Sequence, residues 1–375
     1  MTIKQYFIPV SLMGQITSVD AAAGVGVAPS FEGEHYALAG TLAVGTIATP
    51  TGHLAIAHST TPFVSVYNMQ TGFPVKFANP ATLPTGAAND VSWSPNGRYL
   101  VVDHATSPYI TIYDWQTGAP VKLPDPETPL TGTASSSTWS PDGRYLVVGF
   151  LNIPAMVIYD WQTGAPVKIA DPTSMPPDSV LGAAWSPDGR YLAVAHYTSP
   201  FITVYDWQTG VPVKIENPTT LPPSTGQDVS WTSDSRYLAL AHAVTPFVTV
   251  YDWQTGVPIK IANPSTLPTG TGQDVSWSPN GRYLSVAHFT SPYVTTYDWQ
   301  TGVPVKVANP ATLPTGVGRD VSWSKGGRYL AVAHSTSPLM TIYDWLTGVP
   351  VKMANPSTLP VGIGYGANFQ KPYSP

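Results

Sequence analysis

Six histidines, His58, His104, His196, His242, His288 and His334, occupy matching places along the chain, and four aspartates, Asp90, Asp228, Asp274 and Asp320, stand ahead of four of them. Imidazole and carboxylate groups in one ring could ligate a metal or pass protons. Ligands 46 residues apart would have to converge across a wide channel, and no H-E-x-x-H or close cluster supports that. The reading adopted is structural: Asp90 with His104, Asp228 with His242, Asp274 with His288 and Asp320 with His334 pair within a hairpin, since buried polar groups are nearly always partnered. Ser136 replaces Asp where Phe150 replaces His, which supports pairing, although Gly182 accompanies His196. No metal, cofactor or catalytic residue is expected. The chain has no Gly-rich phosphate loop, G-x-S-x-G elbow or Ser-His-Asp spacing.

The elements that must position these residues follow from a repeat. Tyr113, Tyr159, Tyr205, Tyr251, Tyr297 and Tyr343 each open a Y-D-W-(Q/L)-T-G run, Tyr67 opens Y-N-M-Q-T-G, and the spacing is 46 residues throughout. Trp93, Trp139, Trp185, Trp231, Trp277 and Trp323 keep the same period, so all twelve tryptophans are repeat positions. Such a period marks a stacked or closed array of one supersecondary unit. In residues 274–319, D-V-S-W-S alternates as a strand and S-P-N-G supplies a turn. A second strand ends at His288, a third runs from Tyr293 to Asp298, and Pro304 opens a short outer strand where a missing N–H costs nothing. Asp114, Asp160, Asp206, Asp252, Asp298 and Asp344 read as caps of the Q-T-G turn. The tryptophans could stack on sugars, but packing between repeats explains a fixed position better. Long proline-rich connectors join the repeats.

Seven sets of second, third and fourth strands can be counted. The fold expected is an all-β, seven-bladed β-propeller of four-stranded antiparallel blades over residues 41–375, with an extended N-terminal arm over residues 1–40. Residues 41–48 or residues 366–370 could supply the first strand of blade one; the reading taken is the local hairpin. The arm is rich in Gly and Ala, and a disordered leader and a docking arm both fit it.

V-S-W-S-P-N-G-R-Y-L-S-V-A-H followed by Y-V-T-T-Y-D-W resembles the WD-repeat pattern over about residues 42–370, with Y-D-W in place of W-D and no G-H before each blade. The usual hydrogen-bonded tetrad of that family therefore does not carry over. The wording Y-D-W-Q-T-G-x-P-V-K-I-A-N-P-x-T-L-P-T-G also resembles WD-like propellers of tailed bacteriophages. That resemblance implies a virion or tail-associated protein.

Net charge is −5 and charged residues are only 10%, mostly repeat positions spread around the ring, so nucleic acid is not an expected partner. No apolar run approaches membrane-spanning length, the absence of cysteine excludes disulfides and thiolate chemistry, and the first residues make a poor secretory signal. The repeats disagree in two places. The residue after the ring histidine varies as Ser59, Ala105, Leu151, Tyr197, Ala243, Phe289 and Ser335 on the connector face. Blade three departs most, and Phe150, Leu151, Ile153, Met156, Leu130, Met175 and Leu181 would gather an apolar patch suited to a partner, or equally repack locally under longer loops. With Tyr197 and Phe289 these are the candidate partner-binding residues. The function expected is a non-enzymatic binding propeller of a phage particle, attached to other virion proteins or a host-surface receptor. An extracellular or periplasmic propeller binding glycans or proteins is the alternative, and an enzyme at the channel mouth a third reading.

Overall fold

Each repeat folds as four antiparallel strands because apolar side chains alternate along it and turn residues separate the runs. In the sixth blade Gly272–Trp277, Tyr283–His288, Val294–Asp298 and Val305–Lys306 pair in chain order. The first hairpin reverses at Ser278-Pro279-Asn280-Gly281, where Gly281 takes φ of 68°, open to glycine without a Cβ penalty. Asn280 Oδ1 accepts from the Ser278 hydroxyl at 2.6 Å and from the Arg282 N–H at 3.0 Å, fixing that turn. The computed structural model describes residues 52–128 and 130–370, and among them are seven such sheets.

Successive innermost strands touch in cyclic order, so the sheets close into a ring. Blade one is where the ring is sealed. Its strands His53–His58, Val64–Asn68 and Val75–Lys76 are completed from the other end of the described chain by Gly364–Phe369. This corrects the expectation of a local hairpin. The C-terminal strand fits because Ala367 pairs with Ile56 and Phe369 with Leu54, and Gln370 clamps the entry of the chain through its N–H to the His53 carbonyl at 2.7 Å. Gly52 lies so close to Gln370 that a Cβ there would stand 2.2 Å from its carbonyl oxygen. The proposed arm and residues 41–48 lie outside the described residues. Among the described residues no helix is long and apolar enough to cross a membrane.

The Y-D-W run performs three separate tasks. The tyrosine hydroxyl pins the preceding connector, as in Tyr113 to the Thr82 carbonyl at 2.7 Å and Tyr297 to the Thr266 carbonyl at 2.8 Å. The aspartate caps its turn, Asp114 Oδ1 accepting from the Gln116 N–H at 2.9 Å, as expected, and also holds Arg98 at 2.7 Å. The tryptophan packs between blades. Tyr283 of blade six stacks on Trp323 of blade seven at 5.9 Å, and Trp345 meets Trp323 edge-on at 5.0 Å. Buried in this way, the tryptophans hold the frame and offer no face to a sugar.

Two changes separate closure from packing. A chain ending at residue 363 should lose its cooperative thermal transition, whereas Trp277→Ala should keep one and cost about 3–5 kcal/mol. Calorimetry reads both, and a truncated chain melting like the full one would mean another segment fills the blade-one slot.

Candidate functional site at the channel mouth

The histidines do not form the expected pairs with aspartate. In every blade the innermost strand carries a β-bulge near its start, so Gly272 opposes His288 and Asp274 opposes Ala287, and likewise Ala88 opposes His104 while Asp90 opposes Asp103. The extra residue turns the carboxylate away from the imidazole. Each ring histidine bonds instead to a hydroxyl seven residues on: His104 to Thr111 at 2.9 Å, His242 to Thr249 at 3.0 Å, His288 to Thr295 at 2.9 Å and His334 to Thr341 at 3.0 Å. The Nδ1 of His104 lies 2.8 Å from the Thr106 carbonyl, which only a protonated nitrogen can approach favourably, so Nε2 accepts from the threonine. Burial holds these rings neutral, pushing His242, His288 and His334 down to about 4. Phe150 in blade three is matched by Val157 in the threonine position, and both are buried. Among the described residues no three or more His, Asp or Glu side chains are grouped to hold a metal ion.

The aspartates serve the inner edge of the ring. An innermost strand has no ladder partner on its channel side, so its N–H groups need acceptors from elsewhere. The preceding blade provides them. Asp228 accepts from the Val275 N–H at 3.4 Å, Ser230 from Trp277 at 3.2 Å, Asp274 from Val321 at 3.0 Å, and Asn368 from Trp93 at 3.2 Å. Glycine stands at 182 and 366 because the carboxylates of Asp228 and Asp90 occupy the space a Cβ would need, at 2.3 and 2.7 Å. That accounts for Gly182 accompanying His196.

These carboxyls are half-buried along the inner edge of the ring, and they repel one another. Burial, then the charges of Asp320 and Asp228, lifts Asp274 well above the usual carboxylate range; burial and Asp228 do the same to Asp320, and burial, Asp320 and Asp103 to Asp90. Asp228 is raised by burial to about 6, restrained by hydrogen bonds from Asp274 and the N–H groups of Val229 and Val275. Asp103 is fully buried on the second strand of blade two with neither oxygen in a well-formed hydrogen bond. Burial pushes it up to about 7, and the nearby Ser137 hydroxyl offsets only part of this.

The bulged residue of each innermost strand stands at the connector face, one per blade: Tyr365, Asn89, Ser135, Leu181, Gln227, Gln273 and Arg319. Asn89 donates to the Ala134 carbonyl at 2.7 Å and Ser135 to the Val180 carbonyl at 2.6 Å, bridging blades. Arg319 differs in kind. Arg98, Arg144, Arg190, Arg236, Arg282 and Arg328 are each paired with an aspartate, whereas among the described residues Arg319 has no ion pair. Its guanidinium lies over the Phe289 ring at 5.2 Å and near the Tyr365 ring at 5.8 Å, with Nη1 donating to Gln273 at 3.5 Å and a buried, unpartnered Nε. Arg319 went unremarked in the sequence reading, although it is the one arginine outside the R-Y-L position.

The expected partner patch is mostly interior. Phe150, Met156 and Leu130 are buried, and Met175 packs against the blade-four core. Phe150 fills the histidine's place, so an apolar sequence here signals repacking rather than a surface. A cavity of about 210 Å3 lined by Leu130, Phe150 and Asn152 remains beneath the loop. Leu181 is half-buried at the mouth, and only Leu151, Ile153, Tyr197 and Phe289 are exposed. The connector face does hold the variable residue after the histidine, since Tyr197 N–H bonds Ser179 and Phe289 N–H bonds Thr271.

The frame is a seven-bladed, WD-like β-propeller. The family described as eukaryotic translation initiation factor eIF2A matches residues 50–206. No curated protein sequence matches the chain significantly. Among solved structures it is similar to a candidate 6-phosphogluconolactonase of Bacteroides fragilis, with 15% identity over 86% of this chain and 99% of that one and a TM-score of 0.66. The periplasmic gluconolactonase of Pseudomonas aeruginosa is 19% identical over 85% and 99%, with a TM-score of 0.66. The Cps50 (Swd1) propeller domain of Myceliophteria thermophila is 16% identical over 77% and 92%, with a TM-score of 0.58. At these identities the likeness is one of fold. It nonetheless corrects the expectation of a non-enzymatic phage component: this frame occurs in proteins named as lactonases, and the phage resemblance finds no support.

Asp103 gives a test of the channel electrostatics. Its raised folded-state pKa means the native chain holds a proton that the unfolded chain releases, so stability is lost as pH rises from the ordinary carboxylate range to about 7. Asp103→Ala, which installs the residue found at Ala195, Ala241, Ala287 and Ala333, should raise stability by on the order of 3 kcal/mol at about pH 8 and far less at about pH 4. Thermal melts across pH would expose an equal gain at both as a contradiction.

Proposed function

We propose that this protein hydrolyses lactones of sugar acids at the channel mouth, in the sector of blades five to seven. The observation that carries the reading is Arg319, a guanidinium with no ion pair among the described residues, which breaks the repeat at the mouth and lies between two aromatic rings; the channel carboxyls raised toward neutrality would supply the base. The names of the Bacteroides and Pseudomonas propellers support the same class.

Lactone hydrolysis needs a base for water, a donor for the oxyanion and a surface for the sugar. Asp228 and Asp274 share a hydrogen bond, and Asp228, raised to about 6, is largely ionised at neutral pH yet still basic enough to take a proton from attacking water. Water then adds to the lactone carbonyl. Arg319 and the Gln273 amide offer N–H donors to the charge that develops on the carbonyl oxygen, where a preorganised donor has most effect. As the ring C–O bond breaks, the carboxyl returns its proton to the leaving alkoxide, and a hydroxy acid results. Phe289 and, on the blade-one strand beside blade seven, Tyr365 flank Arg319 and would meet the C–H groups of the sugar. A periplasmic location accords with the Pseudomonas propeller.

The test is base consumption in a pH-stat with glucono-1,5-lactone and its 6-phosphate, corrected for spontaneous opening. Hydrolysis above that background is expected, with Arg319→Ala and Asp228→Asn each lowering kcat/KM by about a hundredfold or more. Activity indistinguishable from buffer on both lactones, or indifferent to Arg319→Ala, would remove the proposal.

A further inference from the structure

On the face opposite the mouth, the blade-five hairpin departs from its sisters. Ser94-Pro95-Asn96-Gly97, Ser140-Pro141-Asp142-Gly143, Ser186-Pro187-Asp188-Gly189 and Ser278-Pro279-Asn280-Gly281 correspond to Thr232-Ser233-Asp234-Ser235. In blades two, three and six the proline packs onto the hairpin glycine of the next blade, Pro95 Cδ lying 3.7 Å from where a Cβ on Gly143 would stand and Pro279 Cδ 3.7 Å from that on Gly327, while blade seven carries Lys325 in place of the proline. Between blades five and six the smaller Ser233 takes that place against Gly281, and a cleft of about 510 Å3 opens beside it. That size falls within the roughly 300–1,000 Å3 of small-molecule sites.

The walls of the cleft combine aromatic and polar groups. Tyr237 is half-buried where Tyr99, Tyr145, Tyr191 and Tyr283 are at most 8% exposed. Its ring stands 6.4 Å from Trp277 and 5.8 Å from Trp299, looser than the 5.9 and 5.3 Å of Tyr283 with Trp323 and Trp345. The hairpin holds a cost to keep this form: Ser235 sits at φ of 59°, left-handed without being glycine, and its hydroxyl accepts from the Asp188 N–H at 3.1 Å. Asp234 spends Oδ1 on Thr232 and Arg236 and keeps Oδ2; Asn280 spends Oδ1 and keeps its amide N–H groups; Arg282 spends Nε and Nη2 on Asp298 and keeps Nη1. The exposed Gln300 adds a donor and an acceptor.

We propose that this cleft is a second ligand site, for a neutral pyranose. An apolar ligand would strand four polar side chains, and the Asp234 carboxylate opposes an anion. A pyranose meets both requirements, packing its C–H groups against the open edge of Tyr237, whose face carries the Arg236 guanidinium at 4.8 Å, donating hydroxyls to Asp234 and accepting from Asn280, Arg282 and Gln300. The site is independent of the lactonase reading and lies outside its machinery.

Saturation-transfer NMR and calorimetry with the methyl glycosides of glucose, galactose, mannose and N-acetylglucosamine test it. At least one should bind in the millimolar range and bind unchanged to Arg319→Ala. Ser233→Pro combined with Ser235→Gly, which rebuilds the sister hairpin and fills the cleft, should weaken it by about tenfold or more. Gln300→Ala, on an exposed turn, should weaken it severalfold and serves if the double variant fails to fold. No binding by any of the four, binding untouched by the folded cleft variants, or loss only in Arg319→Ala would overturn the proposal.

Discussion

The inner edge of each blade is the constraint on which the rest of the molecule depends. Seven innermost strands run around one channel, and each presents N–H groups that no neighbouring strand can satisfy. Acceptors therefore come from the preceding blade, from Asp228, Ser230, Asp274 and Asn368 among others. Carboxylates at such positions gain hydrogen bonds but lose water and stand near their own kind. The upward displacement of Asp90, Asp228, Asp274 and Asp320 follows from edge satisfaction in a closed ring, before any chemistry is asked of them.

The same ring explains how a repetitive frame acquires particular sites. Where most blades agree, the residue serves closure: tyrosine to the connector, aspartate to the turn, tryptophan to the preceding blade. A ligand site needs one blade to differ from its neighbours in a place where the frame tolerates it. The bulged position is such a place, because its side chain leaves the ladder and meets the channel mouth. Arg319 occupies it in blade seven, while blades five and six carry Gln227 and Gln273.

Much of the fold was legible in the sequence because periodic spacing reports strand and turn directly. The seven blades, the hairpin turns and the packing role of the tryptophans stand as read. The Asp–His pairs did not survive because a single bulged residue, invisible in spacing, shifts the register by one and reverses which side chain faces which. The true partner was nevertheless readable: His104 and Thr111, His288 and Thr295 keep a separation of seven, and Phe150 with Val157 loses both together. The blade-one strand was a choice between two plausible segments that only pairing with His53–His58 could decide. The apolar residues of blade three misled because substituting a buried histidine by phenylalanine enriches the core and the sequence alike.

The two titratable rings act on stability in opposite directions. Imidazoles held down to about 4 favour the folded chain as pH rises from that value through the ordinary histidine range. The channel carboxyls, raised by burial, disfavour it over much of the same interval. What remains uncompensated is local: among the described residues Arg319 has no ion pair, and none of the channel carboxyls owes its displacement to that charge. A cation without a carboxylate partner at the channel mouth attracts electron density from outside, and in the proposed reaction a lactone carbonyl becoming an oxyanion would supply more of it as the reaction proceeds. Binding that strengthens along the reaction coordinate is what separates a catalyst from a receptor.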